Sequence, residues 1–130
     1  GLHFTERLLE ELKAFGVERW AVNHKIGPGT FRPVEANDLR DHVMHREVTE
    51  IPADTAHAVL SAKRQGRRVI AVGTSAVRSL ETWALRGFEP GCYPTQLWVH
   101  PGFRFRVVEG MVTNFHQPES PPLIMTCAFG

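Results

Sequence analysis

The chain has 130 residues, 42% of them hydrophobic and 22% charged, and a formal net charge of +1. That is enough apolar content for one globular core, and a charge so close to zero leaves any nucleic-acid contact to local basic clusters. No run approaches the roughly 20 consecutive apolar residues that a membrane-spanning helix needs, so no membrane contact is expected. Residues 1–16 read as an amphipathic helix with acidic residues and not as a secretory leader, which makes the cytoplasm the default compartment. Cys92 and Cys127 form no close-spaced pair and read as free thiols.

In chain order, Thr5 is placed to cap a helix whose Leu8, Leu9, Leu12 and Phe15 share a face, with Gly16 as its stop. Residues 17–22 read as a strand, and 24–33 as a loop rich in turn residues. Residues 38–46 carry no decisive pattern. Residues 47–51 read as a short extended piece before Pro52 opens a helix with Ala56, Val59 and Leu60 inward and Gly66 at its end. Residues 68–72 have the continuous apolar character of a buried strand, and Gly73-Thr74-Ser75 leads straight into a helix bearing Val77, Leu80 and Ala84 that Gly87 ends. Residues 96–99, 103–108 and 111–114 are expected as three strands, with Glu109-Gly110 suited to a tight hairpin. Ser120-Pro121-Pro122 then opens a helix or buried apolar segment reaching residue 129. Helix–strand alternation followed by a strand cluster predicts an α/β fold with a mixed sheet and flanking helices. The chain starts just before a helix and stops directly after an apolar segment, as though cut from something larger.

Chemistry-bearing residues gather at four places. Asn114, Phe115 and His116 put an amide, an aromatic face and an imidazole at the end of an expected strand, where ligands collect in α/β sheets; the plainer reading is a turn that satisfies backbone groups. Gly73, Thr74 and Ser75 sit where a strand hands over to a helix, and the unpaired amides of a helix N-terminus favour an anion. Arg78 in that first turn opposes the helix dipole at a cost of about 0.3–1 kcal/mol, an odd choice unless an anion sits near. The competing reading is an i,i+3 pair with Glu81, worth only about 0.2–0.5 kcal/mol. Gly27, Gly29 and Thr30 would let backbone approach a ligand, but Pro28 removes an amide and no Gly-Lys-Ser/Thr follows, so this is not a nucleotide-triphosphate loop. Arg32 beside it suits a two-pronged pair with a carboxylate or phosphate, or plain solvation.

His42, His45 and Glu47 invite a zinc reading, yet third and fourth ligands at compatible spacing are missing, so no metal is expected. Their imidazoles suit proton transfer near neutrality instead. Lys63-Arg64, Arg67-Arg68, Arg104 and Arg106 are short basic clusters, ordinarily a solvated face. Trp98, Phe103 and Phe105 beside them would suit base stacking but alternate as a half-buried strand does.

Taken together, Gly1-Leu2-His3-Phe4-Thr5, Gly27-Pro28-Gly29-Thr30-Phe31-Arg32-Pro33-Val34, His42-Val43-Met44-His45-Arg46-Glu47, the run from Val69 to Glu81 and Thr113-Asn114-Phe115-His116 closely resemble the S-adenosylmethionine:tRNA ribosyltransferase-isomerase family of queuosine biosynthesis. The resemblance implies transfer of the ribosyl part of S-adenosylmethionine to a 7-aminomethyl-7-deazaguanine wobble base in tRNA. Rearrangement then gives epoxyqueuosine, with adenine and methionine released. It implies S-adenosylmethionine as co-substrate, tRNA as partner, no permanently bound cofactor and no metal. It further implies that the chain is the core of the larger, barrel-like domain of a two-domain enzyme, with the inserted β-barrel domain absent. Under it, His45 or His116 handles protons, Asn114 with Thr74 or Ser75 donates hydrogen bonds, Arg78 or Arg32 holds the methionine carboxylate or a phosphate, and Phe115 offers a stacking face. Gly27, Gly29, Thr30 and Gly73 complete the substrate contacts. Two other readings stand beside it: a binding module without turnover, and a paralogue with another acceptor.

Two departures carry consequences. Family members are longer, so the chain is expected to be a fragment, and strands without neighbours would present sheet edges prone to association. Matching on Gly-x-Gly-Thr-Phe puts Lys25 where the family has histidine, with His24 one place earlier. A one-residue slip on a strand turns a side chain to the opposite face, so His24, Lys25, His42 and Glu47 are left as open members of the site.

Overall fold

The structure is a computed structural model that describes residues 3–130, with Phe31 represented by its backbone; Gly1 and Leu2 of the first resemblance motif lie outside the described residues. Helix α1 (Glu6–Ala14) starts as the sequence predicts, with Thr5 Oγ1 accepting the Leu8 amide at 3.3 Å, and ends at Gly16 in the left-handed region. Its apolar face is only half covered, and Phe15 is 85% exposed. The strand expected over 17–22 falls later, at β1 (Asn23–Lys25). The partner decides the position: β1 runs antiparallel to β2 (Glu47–Ile51), with Asn23 opposite Glu50 and Lys25 opposite Val48.

On the other side of β2 lies β4 (Gly91–Thr95), a strand that local pattern gives no reason to expect because it contains Gly91 and Pro94. Proline is tolerated there because β4 is an edge strand of the three-stranded sheet β1-β2-β4. Helix α2 (Ala53–Arg64) follows Pro52 and buries Ala56 and Val59 as predicted. Strand β3 (Ile70–Val72) leads through Gly73 into α3 (Thr74–Leu85), and β5 (Gly110–Val112) pairs with β3 in parallel. The Glu109-Gly110 hairpin is therefore not formed. Nor is β3 fully buried: Ala71 is inside, while Ile70 and Val72 are 45% and 52% exposed. Helix α4 (Pro121–Phe129) closes the chain, capped by Ser120.

The α/β class holds, with its strands divided between an antiparallel three-stranded sheet and a parallel pair. Helix α3 packs against strands of both sheets and against α4, and buries eight of its twelve residues, Val77, Leu80, Trp83 and Ala84 among them. The core around it takes in Ile51, Ala71, Val99, Val107 and Met125. Residues 96–99 and 103–108 are not strands. Glu81 of α3 explains the second case: its fully buried carboxylate accepts the amides of Arg106, Val107 and Val108 at 2.8, 2.9 and 2.9 Å. Two of those backbone donors reach a single oxygen, so the segment is pinned to a side chain and not to a neighbouring strand. Among the described residues no helix is long and apolar enough to cross a membrane.

A buried carboxylate and the cavity at the start of helix α3

Glu47, the first residue of β2, is 3% exposed and is the hub of the site. Its Oε1 accepts the Gly27 amide at 2.7 Å and the Thr30 hydroxyl; its Oε2 faces His24 Nε2 at 2.8 Å and accepts from Arg78 Nη1. The strongest single influence on its pKa is burial, which raises it. The hydrogen bonds from Thr30, His24 and Gly27 and the charge of Arg78 together overcome burial and lower the carboxyl from 4.5 to about 2. Glu47 is thus an anion at neutral pH, with all four of its acceptor positions engaged.

The loop and strand before it explain these contacts. Gly27 to Thr30 form a 3-10 turn opened by Pro28, which aims both the Gly27 amide and the Thr30 hydroxyl at one oxygen. Gly29 has no room for a side chain: a Cβ there would sit 2.0 Å from His45 Cδ2. The close approach expected of this glycine is made by the protein's own imidazole. On β1, alternation sends His24 inward and leaves Lys25 exposed. His24, not Lys25, joins the cluster.

His24 Nδ1 lies 2.9 Å from Ser79 Oγ, which also lies 2.9 Å from the Ser75 carbonyl. With Ser79 donating to that carbonyl, both His24 nitrogens face acceptors and both must carry protons. With the hydroxyl turned to Nδ1, the ring is neutral and keeps only the proton on Nε2. The proton count of His24 is therefore tied to one hydroxyl rotor.

Arg78 is 3% exposed. Beyond its bond to Glu47, its Nε donates to the Leu97 carbonyl at 3.2 Å, while Nη2 is buried with no partner among the described residues. Burial lowers its pKa and Glu47 opposes that shift. The carboxylate beside Arg78 is Glu47, 31 positions away, and not Glu81 as the i,i+3 spacing would have it. The helix start next to it is uncapped: Gly73 precedes Thr74 at φ +92°, a conformation suited to glycine, and among the described residues no side-chain hydrogen bond caps the first turn.

A cavity of about 60 Å³ opens here, lined by His24, Thr30, Glu47, Thr74, Ser75, Arg78 and His116 together with apolar side chains of the 97–99 segment and α4. His116 also contacts Thr113 Oγ1 at 3.1 Å, and burial pushes its pKa below the ordinary value. Other predicted members lie outside the lining. Asn114 and Arg32 are exposed, and Phe115 projects fully into solvent. His45 is exposed against Gly29. His42 packs on Trp98 with ring centroids 4.5 Å apart, and burial, then the His45 charge, lowers its pKa. Sequence reasoning gave no role to Ser79; its one available signal is the spacing of four residues from Ser75, which puts both on one helix face.

An α/β unit whose central helix begins at a small cavity lined by ionised and imidazole groups has the architecture of a ligand-binding or catalytic core. The chain belongs to the queuosine biosynthesis protein family, whose model matches residues 1–130. Its fold is similar to the crystal structure of S-adenosylmethionine tRNA ribosyltransferase from Thermotoga maritima, with 35% identity and a TM-score of 0.76 over 98% of this chain and 40% of that one. The chain thus spans about two fifths of the length of that relative.

Proposed function

We propose that the chain supplies one wall of a site that transfers the ribosyl part of S-adenosylmethionine to 7-aminomethyl-7-deazaguanine in tRNA. The transferred ring is then isomerised to give epoxyqueuosine, with adenine and methionine released. The observation that carries this reading is the convergence of His24, Glu47, Thr74, Ser75, Arg78 and His116 on one cavity, in a chain that matches the queuosine family from end to end. A sulfonium acidifies the neighbouring C–H, so the first step needs a base in a place poor in water. His116 suits that role, because burial favours its neutral form. Thr74 and Ser75 supply hydroxyls that can hydrogen-bond the co-substrate in this cavity. His24, held between Glu47 and Ser79, is a second imidazole whose proton count follows a hydroxyl rotor.

The cavity, at about 60 Å³, has room for a fragment of the co-substrate and not for a whole nucleoside, which is why the chain is assigned a wall and not the complete site. On the outside, Phe115 offers a stacking face, and exposed Arg104 and Arg106 offer phosphate contacts. Lys63 and Arg67 are paired with Glu109 and Glu18, so they carry less of that role. The test is adenine release from S-adenosylmethionine by the full-length protein, followed chromatographically. Release that requires tRNA bearing the aminomethyl-deazaguanine is expected. Binding without release would make the chain a non-catalytic module, and release with a different acceptor would make it a paralogue; either outcome defeats the proposal.

A further inference from the structure

Among the described residues, the buried polar group at the cavity that lacks a partner is a donor. Glu47 has every acceptor position engaged, whereas Arg78 keeps the two N–H groups of Nη2 unmatched although its side chain is only 4% exposed. A buried donor without a partner is costly, so native structures rarely keep one that nothing is to fill. Beside it stands the uncapped start of a twelve-residue helix, equivalent to about half a positive charge. Glu47 neutralises Arg78, which leaves the helix end, and His24 whenever it is protonated on both nitrogens, as the remaining positive charge. A single negative charge matches that remainder better than a dianion, which would also meet Glu47 directly. About half of the lining is apolar, Met44, Val99, Pro121, Pro122 and Met125 among it. Such a wall accepts an unbranched alkyl or thioether arm.

We propose that this cavity takes the α-carboxylate and side-chain stem of an amino acid, with Arg78 Nη2 and the first amides of α3 as the carboxylate's donors and Met44 and Met125 beside the stem. The inference rests on the reading of S-adenosylmethionine as co-substrate, and it assigns the methionine end of that molecule to this cavity. Arg32, exposed beyond the 3-10 turn, has no part in it.

Equilibrium binding to the full-length wild-type protein tests the assignment without relying on a variant that folds. S-adenosylmethionine is compared with its decarboxylated analogue and with methylthioadenosine, and inorganic phosphate is added as a competitor. Loss of the carboxylate is expected to weaken binding about tenfold to a hundredfold, the range for one hydrogen bond to a charged group. Arg78→Lys, where it folds, should weaken S-adenosylmethionine to a similar degree and leave methylthioadenosine unchanged. Equal binding of S-adenosylmethionine and the decarboxylated analogue, or displacement by millimolar phosphate, overturns the inference alone. A wild-type protein that does not bind S-adenosylmethionine overturns it together with the reading beneath it.

Discussion

Replacing Glu47 by glutamine keeps the shape of the side chain and removes the charge that the whole cluster is built around. The carboxyl titrates at about 2 in the folded chain against an ordinary 4.5, a difference worth about 3 kcal/mol at roughly 1.4 kcal/mol per pH unit. The folded value is the depressed one, so this stability is fully present above pH 4.5 and is lost as pH falls toward 2; about 2 kcal/mol of it is gone by pH 3. At neutral pH the variant also strands the buried Arg78 guanidinium, which typically costs about 3–5 kcal/mol. Urea unfolding of wild type and Glu47→Gln in parallel, at intervals from pH 7 to pH 3, should show a large gap at neutrality that narrows by about 2 kcal/mol at the acid end. Carboxylates elsewhere titrate alike in both proteins and cancel. A gap that stays constant across the range would mean that Glu47 does not hold its charge unusually tightly, and the account of the cluster would fail.

Four further outcomes are expected. Replacing the pair together, Glu47→Leu with Arg78→Met, should cost less than either single change, because no lone charge is left inside; a double variant as unstable as the sum of the singles would contradict this. Gly29→Ala should cost about 1 kcal/mol by pressing on the His45 ring, and His45→Ala should relieve it in a double-mutant cycle, whereas additive effects would show that the two do not touch. Glu81→Gln sets an NH₂ group against the amides it serves and should cost about 1–3 kcal/mol, with faster hydrogen exchange at residues 106–108; unchanged exchange there would refute the clamp. Finally, an NMR titration of His116 should give a midpoint below 6.5, so that its contribution to stability is present above that pH and declines as pH falls through the folded value; a midpoint at or above 6.5 would remove the burial argument.

Local chemistry was enough for the elements whose ends carry their own signals. Thr5 and Gly16 bound α1, Pro52 and Gly66 bracket α2, and Gly73 marks the start of α3, because caps, prolines and left-handed glycines act within a few residues. The pattern of residues 47–51 likewise sufficed for β2. Strands that depend on a distant partner were a different matter. β1 lies at Asn23–Lys25 and not over the more apolar 17–22, since its hydrogen bonds come from β2. β4 accepts Gly91 and Pro94 because it is an edge. Residues 103–108 alternate as a strand would, yet Glu81 takes their amides.

The candidate site divides along the same line. Residue types and motif order by themselves pointed to the family and to Thr74, Ser75, Arg78 and His116. Only the tertiary structure decided that Arg78 meets Glu47, that His24 and not Lys25 turns inward, and that Asn114 and Phe115 stay outside the cavity. Charge pairing inside a protein is set by which side chains are desolvated together, and the partners here stand 31 and 23 positions apart. Spacing along a chain carries no information about such contacts until the sheet and helix bring them within bonding distance.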